Sequence, residues 1–425
     1  MKRAQANVAL TLATLAFAAN FAVWILYAVV GLELQQSREI SSTQLGVLFA
    51  APILSGALLR IPTGVLVDRY NPKKCFVLQM LLVVPALLLL PFVDSFSSYL
   101  YLGLWIGISG TSFTIGLRYV NDWFERSQQG TAMGIFGAGN AGAAVTLLAA
   151  PFILEYAGYS AVGPYYAIGL AATALIFALF APTTNVAICR LDKASDSVLK
   201  GNIWSVVHPL QVWRFGLYYY FVFGSFLALL LWLPQYYVNA YRMDNKEAMA
   251  FTLVFAASSS MVRALGGWFA DRYGGRSVNW SVFWVCLVCL FFLSYPPTTM
   301  TIHGIEHDVQ LQININVWLF SFLIFIIGIA QGFGRASVYK IIHDYYPNDM
   351  GRVGGFVAAI GALGGCTLPI LFGLVEDIIG IHSASFMLLY GVLAACMIAM
   401  YLANKADRQQ QRLRQALDHN FLEND

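Results

Sequence analysis

Two arginines, Arg60 and Arg263, stand inside long apolar stretches of this 425-residue chain. Each lies eight residues before an aspartate, Asp68 or Asp271, in a sequence that occurs twice. Eight residues of helix span ~12 Å at 1.5 Å per residue, so both guanidinium groups are predicted to lie well inside a lipid bilayer. Burying a guanidinium at that depth is costly unless an anion or a carbonyl compensates its charge. This placement is typical of an anion-binding site.

The repeat relates Arg60 to Arg263 by a constant offset of 203 residues, so the two side chains are expected to face each other across a pseudo-two-fold axis. No carboxylate stands at a similar depth on the same helices. A planar fork of N–H donors suits a planar oxyanion. The alternative is that both guanidinium groups donate to backbone carbonyls or to distant acids.

The composition predicts that these arginines are positioned by membrane-spanning helices. Hydrophobic residues make up 59% of the chain, charged residues 11%, and the mean hydropathy is +0.65, whereas soluble proteins carry about 25% charged residues. Twelve apolar stretches are long enough to cross a bilayer, at 7–31, 43–67, 75–93, 97–120, 131–154, 160–182, 212–239, 248–270, 278–296, 315–338, 354–376 and 382–403. The expected fold class is an all-α polytopic membrane protein with 12 transmembrane helices.

An internal repeat indicates that the helices form two six-helix halves. LLRIPTGVLVDRYNPKK (58–74) matches MVRALGGWFADRYGGRS (261–277), and a second match at an offset of 222 pairs Arg118 with Lys340 and Asp122 with Asp344. The expected domains are an N-terminal half (1–182), a cytoplasmic linker (183–210), a C-terminal half (211–404) and a cytoplasmic tail (405–425).

Basic residues predict the orientation of these helices. When both termini are placed in the cytoplasm, only three basic residues outside the spans lie on the outer side of the membrane, namely Arg38, Arg242 and Lys246. This distribution agrees with the positive-inside rule. The first apolar run continues to Gly31, which is too long for a cleavable signal peptide. The expected location is therefore the cell inner membrane.

Charged residues at the predicted cytoplasmic ends suggest gating contacts. The repeated element contributes Gly64, Asp68 and Arg69 in one half and Gly267, Asp271 and Arg272 in the other. The glycines permit close helix approach, and the aspartates can form a latch that breaks and re-forms between states. Arg118 with Asp122, and Lys340 with Asp344, have the i,i+4 spacing of an ion pair. Ordinary juxtamembrane charge clusters and purely structural pairs are the alternatives.

Two glycine-rich segments, 134–144 and 355–365, occur in the predicted fifth and eleventh helices. Their glycines let helix backbones and a small ligand approach closely, and Asn140 adds an amide that can donate to an oxyanion. Tight packing alone is the other explanation. The glycines concerned are Gly137, Gly139, Gly142, Gly361 and Gly364.

The arginine pair, the segment 110–144, FGSFLALLLWLPQYYV (223–238) and SVYKII (337–342) together resemble the nitrate/nitrite porter family of the major facilitator superfamily. The resemblance extends over nearly the whole chain. It implies that nitrate or nitrite is held between the two arginines, with Asn140 and Tyr219 as further donors. It also implies that Phe113 and Phe223 clamp the anion from its apolar sides.

Two positions depart from the family pattern. Ala362 stands where relatives commonly have Asn or Gly, and Arg335 stands where they commonly have Asn within GxGNG. Arg335 is therefore a candidate third substrate-binding cation, which would favour a larger or more highly charged anion. Alternatively, it donates to a carbonyl at a neighbouring helix break.

The sequence thus predicts a secondary transporter of a small inorganic anion, with nitrate and nitrite favoured and alternating access as its mechanism. Exchange needs no intramembrane carboxylate, although proton-coupled uptake stays open. A transporter of larger organic anions and a membrane sensor that retains the anion site are the alternatives. We expect no enzymatic activity, cofactor, metal site or nucleic-acid partner, and a monomer in the bilayer.

Overall fold

The structure is a computed structural model that describes residues 2–37, 40–124, 129–183, 209–303, 307–346 and 350–422. Eleven of its helices are long and apolar enough to cross a membrane, and the number is twelve if one bent helix pair forms a single span. This confirms the predicted all-α membrane fold.

The helices are numbered here by span, with a and b marking the two segments of a broken one. Their bounds are α1a Lys2–Trp24, α1b Tyr27–Ser37, α2 Ser42–Arg69, α3 Pro72–Leu89, α4a Phe96–Ile106, α4b Ser112–Asn121, α5a Gln129–Gly137, α5b Gly142–Ala157, α6 Tyr159–Phe180, α7a Leu210–Tyr219, α7b Ser225–Tyr241, α8a Asn245–Met261, α8b Arg263–Tyr273, α9 Gly275–Leu293, α10 Val317–Tyr345, α11 Met350–Ile379 and α12 Ala384–Leu422.

Short polar side chains determine where several spans begin. Ser41 and Gln44 form a capping box at the start of α2, and Asn71 caps α3 just before Pro72. Asp244 accepts from the backbone N–H of Glu247 at the start of α8a. These side chains satisfy N–H groups that have no partner within the helix.

Several spans are interrupted along their length, which the hydropathy pattern does not reveal. A 3₁₀ turn at Gly107–Thr111 separates α4a from α4b, and another at Ala138–Ala141 separates α5a from α5b. A π-helical turn, Tyr220–Gly224, divides α7. A 45° bend separates α8a from α8b at Val262. Turns of this kind are frequent at functional positions in helices.

A two-stranded hairpin, β1 Thr298–His303 and β2 Asp308–Ile313, joins α9 to α10. The hydropathy pattern alone predicts only a polar interruption between two spans at 297–312. The strands are antiparallel, and His303 lies opposite Asp308 with 2.9 Å between their side-chain atoms. The hairpin marks one face of the bundle, here called the hairpin side; the face where α1a begins and α12 ends is the terminal side.

The predicted linker falls mostly on residues 184–208, which lie outside the described part of the chain. The predicted tail, in contrast, continues α12 as helix to Leu422. Helices from the two ends of the sequence pack on each other, with α2 along α11, α8a against α5b, and α7b against α1b. These contacts join the N-terminal and C-terminal groups of helices.

Candidate anion-binding site

A cavity lies where the broken helices meet, with an empty volume of about 280 Å³ including its opening. Its lining comes from both halves of the sequence: Phe17, Phe21, Arg60, Phe113, Asn140, Tyr219, Phe223, Arg263 and Ala358.

The structure brings together six of the seven predicted substrate-binding residues, namely Arg60, Phe113, Asn140, Tyr219, Phe223 and Arg263. The seventh, Arg335, does not line the cavity. The lining also includes Phe17, Phe21 and Ala358, which the sequence analysis missed. Phe17 and Phe21 belong to a long apolar run, 7–31, that does not indicate which of its faces is turned inward, and Ala358 lies within the glycine-rich segment 355–365 of α11.

Arg60 enters the cavity from α2 and is 9% exposed. Its Nε donates to the carbonyl oxygen of Gly110 at 3.3 Å, in the 3₁₀ turn of α4. The guanidinium carbon lies 5.3 Å from the ring centre of Trp24 and 5.9 Å from that of Phe113. The carbonyl therefore occupies one of five N–H donors and holds the group in place. No carboxylate of the described residues pairs with it.

Arg263 is the first residue of α8b, directly after the helix break, and it is half-buried. Gly137 of α5a lies beside it, since a Cβ at that glycine would be 3.1 Å from Nη1 of Arg263. Glycine thus leaves room for the guanidinium between the two halves. Among the residues that the structure describes, no carboxylate pairs with Arg263, so the cavity contains two cations without an anionic partner.

Asn140 presents its amide from the 3₁₀ turn of α5, where it is 2% exposed. Its Nδ2 is buried and makes no hydrogen bond within the described part of the chain. A buried donor without a partner costs roughly 1–3 kcal/mol. An anion in the cavity would satisfy this donor.

Aromatic rings form the remaining walls. The Tyr219 ring stacks on Phe223 with centroids 5.2 Å apart, and Tyr339 meets Tyr219 edge-on at the same distance. On the other side Phe17 packs against Phe113, with centroids 5.5 Å apart. These rings exclude water and leave the arginines as the dominant polar groups, which strengthens their attraction for an anion.

The predicted glycines differ in what they approach. A Cβ at Gly139 or Gly361 would overlap the rings of Phe17 or Tyr219, so these glycines make room for cavity side chains. Gly142 and Gly364 instead allow helices to touch through their backbones: Gly142 lies against the carbonyl of Ala18 in α1a, and Gly364 against Gly224 in α7.

The expectation of close approach at Gly267 is wrong. A Cβ there would meet no atom within 4 Å, whereas one at Gly266 would lie 2.7 Å from the Cα of Phe333. The break at Val262 turns the preceding glycine toward α10 instead. At Gly64 the nearest atom, in Thr114, would be at an ordinary contact distance of 3.7 Å.

The charged residues of the repeated elements lie on the terminal side. Lys340 bridges Asp271 at 3.3 Å and Asp344 at 3.4 Å, and an ion pair also joins Arg118 to Asp122. The Lys340 bridge connects α8b to α10 within the C-terminal half. The side chain of Asp68 is not among those that the structure describes. Gating by these charged groups stays a prediction.

Two further arginines of these elements have no such role in the described contacts. Arg69 is exposed at the end of α2. Arg272 is also exposed, with its guanidinium carbon 5.4 Å from the ring centre of Trp268.

Arg335 lies behind the cavity wall and is completely buried. Its Nη2 donates to the carbonyl oxygen of Ser259 at 2.6 Å and to Oγ of the same serine at 2.7 Å. Its guanidinium carbon lies 4.1 Å from the ring centre of Phe226. This geometry corresponds to the alternative in which the arginine donates to a carbonyl next to a helix break.

The hairpin side of the cavity is closed by contacts between the halves. The Asp377 carboxylate of α11 accepts from the backbone N–H groups of Ser42 at 3.1 Å and Thr43 at 2.8 Å, at the start of α2. Lys246 bridges Glu155 at 3.1 Å. A carboxylate at a helix N-terminus is stabilised by the helix dipole. These contacts must open if an anion is to enter from this side.

Beside this closure, Nδ1 of His382 lies 2.5 Å from Oε1 of Glu376. The hydrogen bond to Glu376 raises the pKa of His382, while desolvation and Arg242 oppose the rise. The folded-state pKa is therefore above the unfolded value of ~6.5, and the pair stabilises the fold fully below that value. This stabilisation is lost as the pH rises through the folded-state pKa.

We expect the melting temperature to fall between about pH 6 and pH 8 more in the wild type than in His382→Gln. The effect should be small, since partly exposed ion pairs contribute ~0–1 kcal/mol. Thermal melts of both proteins in one detergent across this range measure it. Parallel curves for the two proteins would contradict the assignment to His382.

Known transporters are similar to this chain over nearly its whole length. The model of the Major Facilitator Superfamily matches residues 12–305 and 310–423. The chain is 34% identical to a probable nitrate/nitrite antiporter NarK1 of Thermus thermophilus, covering 92% of this chain and 90% of that protein. It is 27% identical to a nitrite extrusion protein of Bacillus subtilis (strain 168), covering 97% and 99%.

Solved structures show the same fold. A bacterial homologue of the human lysosomal transporter Spinster, in an inward-facing and occupied conformation, aligns with a TM-score of 0.70 at 14% identity, covering 93% of this chain and 96% of that one. A mutant of the nucleoside transporter NupG aligns with a TM-score of 0.69 at 14% identity, covering 93% and 99%.

Proposed function

Since the chain belongs to the Major Facilitator Superfamily and, within it, to the nitrate/nitrite porter family, we propose that it is a secondary transporter of nitrate and nitrite. The observation that carries the proposal is the pair of guanidinium groups, Arg60 and Arg263, in one small cavity without a carboxylate among its lining residues.

The shape and chemistry of the cavity support a small planar oxyanion. Two guanidinium groups from opposite halves can donate to different oxygen atoms, and the Nδ2 of Asn140 provides a further donor. The rings of Phe113 and Phe223 provide flat apolar surfaces for the faces of such an anion. A larger organic anion would have to displace these rings.

We propose exchange as the mode of coupling. Two like charges in a water-poor cavity repel each other and are poorly solvated until an anion enters. Reorientation of the empty carrier is therefore slow, while a carrier loaded with either anion moves readily. None of the nine cavity residues is a carboxylate that could exchange a proton for the substrate.

In this proposal the halves 1–182 and 211–404 rock about the cavity, and the hairpin side and the terminal side open in turn. The basic residues of the loops support a cytoplasmic terminal side. The protein then lies in the inner membrane with the closure of Asp377, Ser42 and Thr43 facing outward. The 183–210 segment would link the halves, and one chain would suffice, because both arginines of the site come from it.

Liposomes preloaded with nitrite should take up labelled nitrate much faster than empty liposomes at the same pH. The trapped anion allows each returning carrier to be loaded, whereas empty vesicles require the slow unloaded return. Nitrate uptake into both types of vesicle, with and without an imposed pH gradient, measures this difference.

Two controls separate the alternatives. Strong uptake into empty vesicles under an inward proton gradient would contradict exchange and indicate symport. Counterflow by dicarboxylates, with none by nitrate or nitrite, would contradict the substrate and indicate an organic-anion transporter.

A further inference from the structure

A second polar cluster lies directly behind the cavity wall, and the proposed mechanism does not use it. It consists of Ser225 of α7b, Ser259 of α8a, and Gln331 and Arg335 of α10. All of these residues are buried, with none more than 1% exposed. Among the described residues, no carboxylate pairs with the guanidinium of Arg335. Burying such a charge is costly, so a specific role for this side chain is expected.

One side of the cluster holds the break in α8. Ser259 is in the last turn of α8a, two residues before the helix ends at Met261. Carbonyls in the last turn of a helix need partners from outside it. The Nη2 group of Arg335 is such a partner, 2.6 Å from the carbonyl oxygen and 2.7 Å from Oγ of Ser259. The residue that follows this break in the cavity is Arg263.

The other side of the cluster holds the π turn of α7. The Nε2 of Gln331 donates to Oγ of Ser225 at 2.7 Å, and this hydroxyl in turn donates to the carbonyl of Phe221 within the π turn. Arg335 also contacts this side, because its Nε lies 3.4 Å from the backbone carbonyl oxygen of Gln331 one turn earlier in α10, and its guanidinium carbon lies 4.1 Å from the ring centre of Phe226 in α7b. The π turn carries Phe223 and directly follows Tyr219.

The backbones of α10 and α8 also touch at the break itself. A Cβ at Gly332 would lie 2.8 Å from the carbonyl oxygen of Ser259 and 3.6 Å from the backbone nitrogen of Arg263. With α10 this close, a change at Arg335 is transmitted directly to the start of α8b. Core packing is stiff enough to carry such displacements.

We infer that Arg335 is a positioning residue: through Ser259 and Gln331 it holds the breaks in α8 and α7 that present Arg263, Tyr219 and Phe223 to the anion. Arginine suits this task, since its planar group donates through Nε and Nη2 in two fixed directions, whereas a lysine ammonium is a single point. The inference rests on the proposed function for the identity of the anion, but not for the geometry of the breaks.

The test compares Arg335→Gln, Arg335→Lys and Thr146→Val. The control removes a buried bond of similar kind, from Thr146 Oγ1 to the carbonyl of Ala22, away from the cavity lining. We expect Arg335→Gln to raise the KM for nitrate exchange roughly tenfold or more, as loss of a charged hydrogen bond would. Arg335→Lys should be intermediate, and Thr146→Val should keep the wild-type KM.

Hydrogen–deuterium exchange provides a readout that does not depend on the substrate. Backbone amides at 259–266 should exchange faster in Arg335→Gln than in the wild type, and those in Thr146→Val should not. Should Arg335→Gln fail to fold, Gln331→Leu cuts the link to Ser225 only, and it should raise the KM in the same direction by a smaller factor.

The inference would be overturned if Arg335→Gln and Gln331→Leu both keep the wild-type KM and the backbone amides at 259–266 are as protected from hydrogen–deuterium exchange as in the wild type. The inference would also be overturned if Arg335→Gln leaves the protection of these amides unchanged but shifts the preference of the transporter between nitrate and dicarboxylates. That result would make Arg335 a ligand of the anion. Absence of nitrate exchange by the wild-type protein would contradict the proposed function alone, because the amide comparison still decides the role of Arg335.

Discussion

Arg60→Lys and Arg263→Lys are each expected to lower nitrate exchange by about 10- to 100-fold, since one hydrogen bond to a charged group is worth about 1.5–3 kcal/mol. Lysine keeps the positive charge of the site but cannot offer two parallel donors to the oxygen atoms of a planar anion. Arg60 has a second function that lysine would lose, because its Nε also bonds to the carbonyl of Gly110.

Initial rates of nitrate–nitrite exchange in liposomes, at equal amounts of reconstituted protein, measure this loss. Arg3→Lys is the matched control, because the same substitution at this exposed position near the N-terminus leaves the cavity untouched. Rates at the wild-type level in both cavity variants would remove Arg60 and Arg263 from the site.

Gly373→Ala should slow turnover severalfold or more while leaving the anion site intact. On the hairpin side, a Cβ at Gly373 would overlap the carbonyl of Ser42 and would lie 2.7 Å from the backbone nitrogen of Thr43. Backbone atoms cannot move aside as a flexible side chain can, so α2 and α11 could not close. Overpacking costs about 1–3 kcal/mol, which would shift the closing equilibrium by about 5- to 150-fold.

The variant should therefore still gain thermal stability from nitrate but exchange it about 5- to 150-fold more slowly than the wild type. Gly391→Ala is the control, since a Cβ there would meet no atom within 4 Å. If Gly373→Ala exchanges nitrate as fast as the control does, closure between α2 and α11 is not part of the transport cycle.

The repeat in the sequence was sufficient to predict much of the site. Arg60 and Arg263 can be paired from their offset, and their depth follows from the distance to Asp68 and Asp271 along a helix. The structure places both arginines in one cavity with Asn140, as the pairing implies. A charged residue within an apolar run is a strong signal, because placing a charge in the bilayer costs free energy that only a functional role or a partner can justify.

The breaks in the helices could not be predicted in the same way. A one-residue difference, Gly266 in place of Gly267, depends on how α8b turns after Val262, and neighbouring positions on a helix point ~100° apart. The contacts that hold the π turn of α7 and the break in α8 join helices that are distant in the chain: Gln331 lies 106 residues from Ser225, and Arg335 lies 76 residues from Ser259. Apolar residues such as Phe17 give no local signal, because any face of an apolar helix can be turned inward.

The hairpin between α9 and α10 has a recognisable sequence pattern. Residues 298–303 and 308–313 contain β-branched and apolar residues that alternate with polar ones, which is typical of paired strands. His303, His307 and Asp308 make the same segment look like a polar interruption between two spans. Alternation at a period of two residues would have separated this segment from an irregular loop.

The pair of cavity arginines without a carboxylate has an electrical consequence. A charge that crosses the whole membrane field changes in energy by about 2.3 kcal/mol per 100 mV, and in the proposed rocking cycle the arginines would cross some part of that field each time the cavity changes sides. Exchange of one univalent anion for another moves no net charge, so the membrane voltage does not change the equilibrium of the exchange. The unloaded carrier is different: its cationic cavity is drawn toward the negative interior, and an energised cell would hold it there until an anion arrives.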